Sequence, residues 1–194
     1  PQDTSSAASD VYKRQIVGRG LAMAIVLGID PGSRKTGFGI VSTETGKPCY
    51  LTSGVIRLPT DSGLPARLKV LSDSLTELIE TYHPDTAAVE EVFMAKSAGS
   101  ALKLGQARGA AVVVCAAAGL DVHEYAARQI KQAVVGTGAA DKEQVQHMVT
   151  RLLRLPATPQ EDASDALAAA LCHINGAQAR ALTGDQYGGG RRRR

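Results

Sequence analysis

The sequence predicts an α/β domain in which helices flank one mixed β-sheet. Three observations carry that reading. The chain's first ordered-looking stretch, "IVLGID" from Ile25 to Asp30, is a short apolar run cut off by Pro31-Gly32, the pattern of a buried strand rather than of an amphipathic helix. Two more strand patterns follow it directly, separated by turn residues. Helical and strand patterns then alternate, an order that builds one mixed sheet with crossover connections. At 194 residues the chain is long enough for one such domain with a sizeable core.

Each element has its own signal. Gly37–Ser42 reads as a second strand, and Lys47–Leu58 carries a third. The "TETGKP" between them is turn chemistry, so the first three strands are expected to form an antiparallel meander. Leu64–Tyr82 places Leu64, Leu68, Leu71, Leu75, Leu78 and Ile79 at helical spacing, and "HPD" stops it. Thr86–Val92 is a fourth, buried strand. Ser97–Ala118 is an Ala-rich helix that ends at Gly119, and Asp121–Glu124 is a short fifth strand. Ala126–Val135 is helical and runs into the loop "GTGAA", expected to be flexible. Asp141 then caps a helix through Arg154, with Gln144 three residues on. "PATPQ" breaks the chain, and Glu161–Ile174 forms the last helix. No repeat and no internal linker appears.

Composition narrows the class. Hydrophobic residues at 44% and charged residues at 21% are the balance of a globular domain. With no Trp and 4% aromatics, its core must be built from Ala, Val, Leu and Ile. A formal charge of +3 is compatible with a polyanion partner. Part of that excess lies in Arg191–Arg194, read as a solvated tail rather than a phosphate grip. Cys49, Cys115 and Cys172 are far apart, which argues against a disulfide framework or a zinc site and for a reducing, cytoplasmic setting. No apolar run reaches the roughly 18 residues of a membrane span, so no membrane association is expected. Residues 1–22 lack period and signal-peptide plan, and "MAIVLGID" looks like a true start at Met23. The expected division is a non-native or disordered extension at 1–22, one domain at 23–177, and a loose basic tail at 178–194 that begins to fade from about Gly176.

Carboxylates are the notable chemistry. Asp30 ends a buried strand, where an ionised side chain is costly without a positive partner. Glu90 and Glu91 lie in the fourth strand, "AAVEEVFMAKS"; side chains alternate, so only one of them can join Asp30, and periodicity does not say which. Asp162 and Asp165, spaced i, i+3, share one face of the last helix, with Glu161 off that face. Their bland explanation is favourable negative charge at a helix start. The alternative is convergence on Asp30 and one strand glutamate. Such an all-oxygen set suits the hard cations Mg²⁺ or Mn²⁺. Two ions about 3.5–4 Å apart would stabilise both the attacking and leaving oxygens of a phosphoryl displacement.

The blocks "MAIVLGIDPGSRKTGFGIV", "VEEVFMAKSAGSALKLGQARGA", "EYAARQIKQAVVGTGAADKEQVQHMV" and "LPATPQEDASDALAAAL" resemble the RuvC family of crossover junction (Holliday junction) endodeoxyribonucleases. The resemblance runs from Met23 to about Ala177. It implies an RNase H-like fold, a five-stranded mixed sheet with helices on both faces. It also implies a homodimer that makes paired symmetric nicks in a four-way DNA junction. The family's acidic tetrad maps onto Asp30, Glu90, Asp162 and Asp165, as catalytic residues and metal ligands, and so selects Glu90 over Glu91. The implied cofactor is Mg²⁺, two per subunit, with Mn²⁺ able to substitute. One ion would activate a water and the other would stabilise the leaving 3′ oxygen, giving 5′-phosphate and 3′-hydroxyl ends. RuvA and RuvB, the branch-migration proteins, are implied partners.

Lys131 and Lys142 match family lysines that approach the scissile strand, and Arg128 lies one helical turn before Lys131. Phe93 is either a core aromatic or, as in the family, a wedge stacked on a base near the junction centre. Lys96 and Lys103 are read as solvated, with DNA contact as the alternative. His83, His123, His147 and His173 lack metal spacing and are read as structural or surface residues. Two other readings differ in class. A non-catalytic junction binder on the same fold predicts a broken acidic set. An actin-like or sugar-kinase ATPase, suggested by "DPGSRKTG", needs a second nucleotide-binding lobe.

Overall fold

The computed structural model describes residues 24–43, 45–91 and 98–183. Strands β1 (Ile25–Asp30), β2 (Lys35–Ser42) and β3 (Cys49–Arg57) form the antiparallel meander. Helix α1 (Leu64–Tyr82) then crosses over to β4 (Thr86–Glu91), and α2 (Ala98–Ala117) crosses to β5 (Asp121–Ala126). Both later strands run parallel to β1, so the sheet is mixed and ordered β3-β2-β1-β4-β5. Helices α3 (Ala127–Val135), α4 (Lys142–Leu152) and α5 (Glu161–Thr183) close the chain.

Strand alternation divides the core into two layers. Leu27, Ile29, Ile40, Ile56, Ala87 and Val89 pack with Leu71, Leu75 and Ile79 of α1 and with Ala107, Ala111 and Cys115 of α2. Val26, Ala88 and Tyr125 face the other way, onto α3, α4 and the Leu167–Cys172 stretch of α5. The sheet is therefore covered on both faces, as a mixed sheet with apolar strands requires.

The seating of α5 is set by missing side chains. A Cβ at Gly28 would lie 1.9 Å from the Ala166 carbonyl oxygen, and one at Gly37 would lie 1.8 Å from that of Asp162. Glycine in β1 and β2, met by Ala163, Ala166 and Ala170 on the helix, lets α5 lie almost backbone to backbone on the sheet. That contact brings its acidic first turn to the carboxyl end of β1.

Caps fix the helix ends. His83 takes the left-handed conformation (φ 47°) and donates its N–H to the Ile79 carbonyl, closing α1. Gly119 and Gly136 follow α2 and α3 with positive φ. Asp141 accepts from the Gln144 N–H while the Gln144 side chain accepts from the Asp141 N–H, a full capping box for α4.

Several sequence expectations shift at their edges. β2 begins at Lys35 and β5 runs to Ala126, because ladder pairing with β3 and β4 carries both strands further than their local patterns. α4 ends at Leu152, and Arg154 turns left-handed (φ 52°). α5 continues past Ile174 and Gly176 to Thr183, carried by its run of alanines. The "GTGAA" loop, expected to be flexible, is laced to α3. Gln132 donates to the Gly136 carbonyl at 2.7 Å and accepts from the Gly138 N–H at 3.1 Å. Among the described residues no helix is long and apolar enough to cross a membrane. Residues 1–22, Phe93, Lys96 and Arg191–Arg194 lie outside the described residues.

Candidate active site

The site lies where the parallel strands β1 and β4 end. Asp30 is the last residue of β1, and it pairs with Gly37, whose absent side chain faces α5. Directly paired residues share a face, so Asp30 points toward α5. Val89 pairs with Ile29, and both face α1 and α2. Glu90, next along β4, therefore turns to the α5 face, while Glu91 turns away and is exposed.

Asp30, Glu90 and Asp165 line one cavity of about 250 Å³. Lys131 of α3 and Lys142 of α4 line it too, with Ile130 and Val145 as apolar wall. Asp162 is half-buried and lies outside that lining, yet its charge reaches Asp30. Arg128 is exposed and folds over Gly138 instead of entering the cavity.

The carboxyls stand in an environment that disfavours their charge. Burial, then the charges of Glu90, Asp165 and Asp162, pushes Asp30 up to about 8, with Lys142 pulling the other way. Burial and Asp165 push Glu90 up to about 7, against the pull of Lys142 and Lys131. Asp165 is raised as well, chiefly by burial. Desolvation plus mutual repulsion is the signature of an anionic pocket short of positive charge.

Lys142 supplies part of that charge. Its Nζ donates to Glu161 Oε1 and lies 4.0 Å from Asp165 Oδ2. The hydrogen bond to Glu161 holds the ammonium above its ordinary pKa. Glu161 is a residue that helix periodicity alone passes over: it lies off the Asp162–Asp165 face, and its partner belongs to another helix.

The donor set fits hard cations. Three carboxylates surround one cavity with no thiol or imidazole beside them, and their raised pKa values mark uncompensated negative charge that a divalent ion offsets. Among the described residues no three acidic, histidine or cysteine side chains are gathered closely enough to hold an ion as they stand.

The histidines lie apart from this cavity. His173 is buried, its Nδ1 is 2.8 Å from the Tyr125 hydroxyl, and its ring is 4.6 Å from that of His123. Burial lowers it to about 4. All three cysteines are free thiols, and burial pushes Cys115 and Cys172 up to about 11.

The described residues form a single sheet, without the second lobe an actin-like ATPase needs. The family model for crossover junction endodeoxyribonuclease RuvC matches residues 26–173. The crossover junction endodeoxyribonuclease RuvC of Saccharophagus degradans is 66% identical over 153 residues, covering 79% of this chain and 88% of that one. Its counterpart from Tolumonas auensis is 62% identical over 151 residues, 78% and 87% of the two chains. The structure of Thermus thermophilus RuvC in complex with Holliday junction substrate superposes with a TM-score of 0.76 at 34% identity, covering 81% of this chain and 97% of that one. The yeast mitochondrial Holliday junction resolvase Ydc2 shares the fold, with a TM-score of 0.62 at 15% identity over 90% of this chain and 89% of its own. An RNase H-like sheet, an acidic cavity at the end of its central strands and these relatives agree: the chain belongs to the RuvC family of crossover junction endodeoxyribonucleases.

Proposed function

We propose that this protein resolves four-way DNA junctions by hydrolysing one phosphodiester in each of two opposed strands, with Asp30, Glu90, Asp162 and Asp165 as its catalytic and metal-binding set. The observation that carries the reading is the shared cavity of Asp30, Glu90 and Asp165, flanked by Lys131 and Lys142. Two Mg²⁺ ions, or Mn²⁺ in their place, when held by these carboxylates supply charge stabilisation for the attacking and leaving oxygens.

The protein's own groups have distinct tasks. Asp30 and Glu90, fixed on adjacent strands, set the floor of the site. Asp162 and Asp165 approach from α5 and so depend on how that helix is seated. Lys131 and Lys142 balance the carboxylates and meet the scissile phosphate, and Arg128, one turn before Lys131, grips the backbone beyond it. Phe93 stacks on a base near the junction centre. Burial of the cavity strengthens each of these charge interactions relative to water.

The protein works as a homodimer, since a symmetric pair of nicks needs two sites related by a twofold axis. On α2, Leu102 and Val113 are each 65% exposed, and nothing approaches Gly105 or Gly109 between them. That apolar, small-residue face suits contact with a second copy. RuvA and RuvB are its branch-migration partners, and its place is the cytoplasm. The domain comprises residues 23–177 together with the end of α5, which runs on to Thr183; 1–22 is a non-native extension, and the rest of the 178–194 segment is a basic tail.

The test is incubation with a synthetic four-way junction, with and without Mg²⁺, mapping nicks on all four strands. Symmetric, ligatable nicks on two opposed strands are expected. Random nicking, or binding without cleavage in Mg²⁺ and in Mn²⁺, overturns the reading.

A further inference from the structure

The start of β2 and the end of β3 bring together like charges that no ion pair among the described residues offsets. Lys35 pairs directly with Arg57 across the antiparallel ladder. Arg34 lies one residue earlier, its carbonyl accepting from the Leu58 N–H at 2.9 Å. All three side chains are exposed. Among the described residues none of the three forms an ion pair. Like charges directly opposite each other on neighbouring strands destabilise a sheet, so the fold itself gains nothing from this arrangement.

Position connects the cluster to the acidic cavity. Lys35 shares the face of Gly37 because side chains alternate along a strand. Gly37 faces the first turn of α5, and it pairs with Asp30. Arg57, opposite Lys35, shares that face as well. Strand geometry places the Lys35 and Arg57 Cα atoms roughly 8 and 12 Å from that of Asp30 (~3.3 Å per residue, ~4.8 Å per strand). Lys131 lies on α3, which follows β5 and packs on it at the other edge of the sheet. Lys142 lies on α4, which packs on α3, and both lysines line the cavity from that side. The acidic centre therefore lies between two basic banks. A strand of DNA presents a phosphate about every 3.4 Å of helix axis, so 12 Å spans three or four of them.

We infer that Lys35 and Arg57, on the face of Gly37, and Arg34, in the bend just before β2, form a phosphate-binding track that holds the DNA backbone on the β2–β3 side of the cleavage site. The inference rests on the proposed junction-cleaving function and adds a contact surface to it. Phosphate contacts of this kind set the position of the DNA and carry no sequence information themselves. The track's work is positional: with the α3–α4 bank on the other side, it fixes which phosphate lies over the carboxylates.

The test compares two triple variants of the full chain with equal loss of charge. Arg34→Gln/Lys35→Gln/Arg57→Gln removes the track. Lys47→Gln/Arg151→Gln/Arg154→Gln removes three exposed cations near the far end of the sheet, where Lys47 and Arg154 border a separate cavity. Binding to a four-way junction is measured in EDTA over a series of KCl concentrations. The track variant is expected to flatten the slope of log K against log salt by about 2 to 3, at about 0.9 per lost phosphate contact. Its affinity at 0.1 M salt falls on the order of tenfold to a hundredfold, while its Tm holds or rises as the Lys35–Arg57 repulsion disappears. The control variant changes the slope by less than about 1, one contact's worth. Equal losses in the two variants, or a track variant with the parent slope, overturn the track alone if the parent protein binds and nicks the junction. A parent that does neither removes the junction reading and the track with it.

Discussion

Single side chains decide whether the cavity can do chemistry. Asn is nearly isosteric with Asp but cannot offset a divalent cation, so Asp30→Asn and Asp165→Asn are each expected to cut Mg²⁺-dependent nicking by at least about a hundredfold. Junction binding in EDTA should persist, because the change removes negative charge from a surface that meets phosphate. Gel-resolved nicking beside anisotropy binding checks both halves, and substantial cleavage by Asp30→Asn would refute its assigned role. Glu90 and Glu91 show what residue chemistry leaves open. The two are chemically identical neighbours, and alternation says only that they diverge. Register with Ile29 sends Glu90 to the cavity and leaves Glu91 exposed. Glu161 illustrates the converse: nothing in its local sequence marks it, and its contact with Lys142 exists only because α4 and α5 start side by side.

Helices and strands act as positioning devices, and their weak points are predictable. Gly37 leaves room for the Asp162 carbonyl, so Gly37→Ala must push the first turn of α5 away from β1. Nicking is expected to fall tenfold or more while the strands still form. Circular dichroism close to the parent's, together with a raised Mg²⁺ requirement, is the pattern to look for; parental activity would show that the helix start can shift at no cost. The capping box of α4 offers a second handle. Asp141→Ala removes it at a cost of about 1 kcal/mol, which lowers Tm by a few degrees in thermal unfolding. It also loosens the turn that presents Lys142, so the apparent Mg²⁺ dependence should shift along with Tm. Most of these elements were legible from periodicity and caps, since both are local. The boundaries that moved did so for nonlocal reasons. β2 gained Lys35 and β5 gained Tyr125 and Ala126 through their partner strands, and α5 ran through Gly176 on its alanine tail.

The whole molecule balances a buried anionic cavity against its basic surroundings, and that balance depends on pH. Asp30, at about 8, and Glu90, at about 7, titrate far above their values in the unfolded chain. The folded protein therefore binds more protons than the unfolded one between about pH 4 and pH 8, and stability falls as pH rises through that window. His173 has the opposite sense: it is lowered to about 4, so its contribution is present above its ordinary value of 6.5 and is lost as pH falls toward 4. Without divalent ions, Tm is expected to peak at mildly acidic pH and to decline toward pH 8. Mg²⁺ should raise Tm at pH 8 and have little effect at pH 5, where the carboxyls are already protonated. Thermal scans across pH in EDTA and in Mg²⁺ check this, and a Tm in EDTA that climbs from pH 6 to pH 8 would contradict it.

By itself the sequence determined the mixed α/β class, the order of its elements and the short set of carboxylates from which a site could be made. Its long matching blocks also pointed to the family, which in turn singled out Glu90. Those are properties of local pattern and of residue identity. Only the tertiary structure decided what meets what: Asp30 with Glu90 and Asp165 across two strands and a helix, Lys142 against Glu161, and Lys35 opposite Arg57. The reason is physical. Alternation and helical periodicity tell which residues share a face, but strand register and the close seating of α5 on Gly28 and Gly37 arise from packing between segments far apart in the chain.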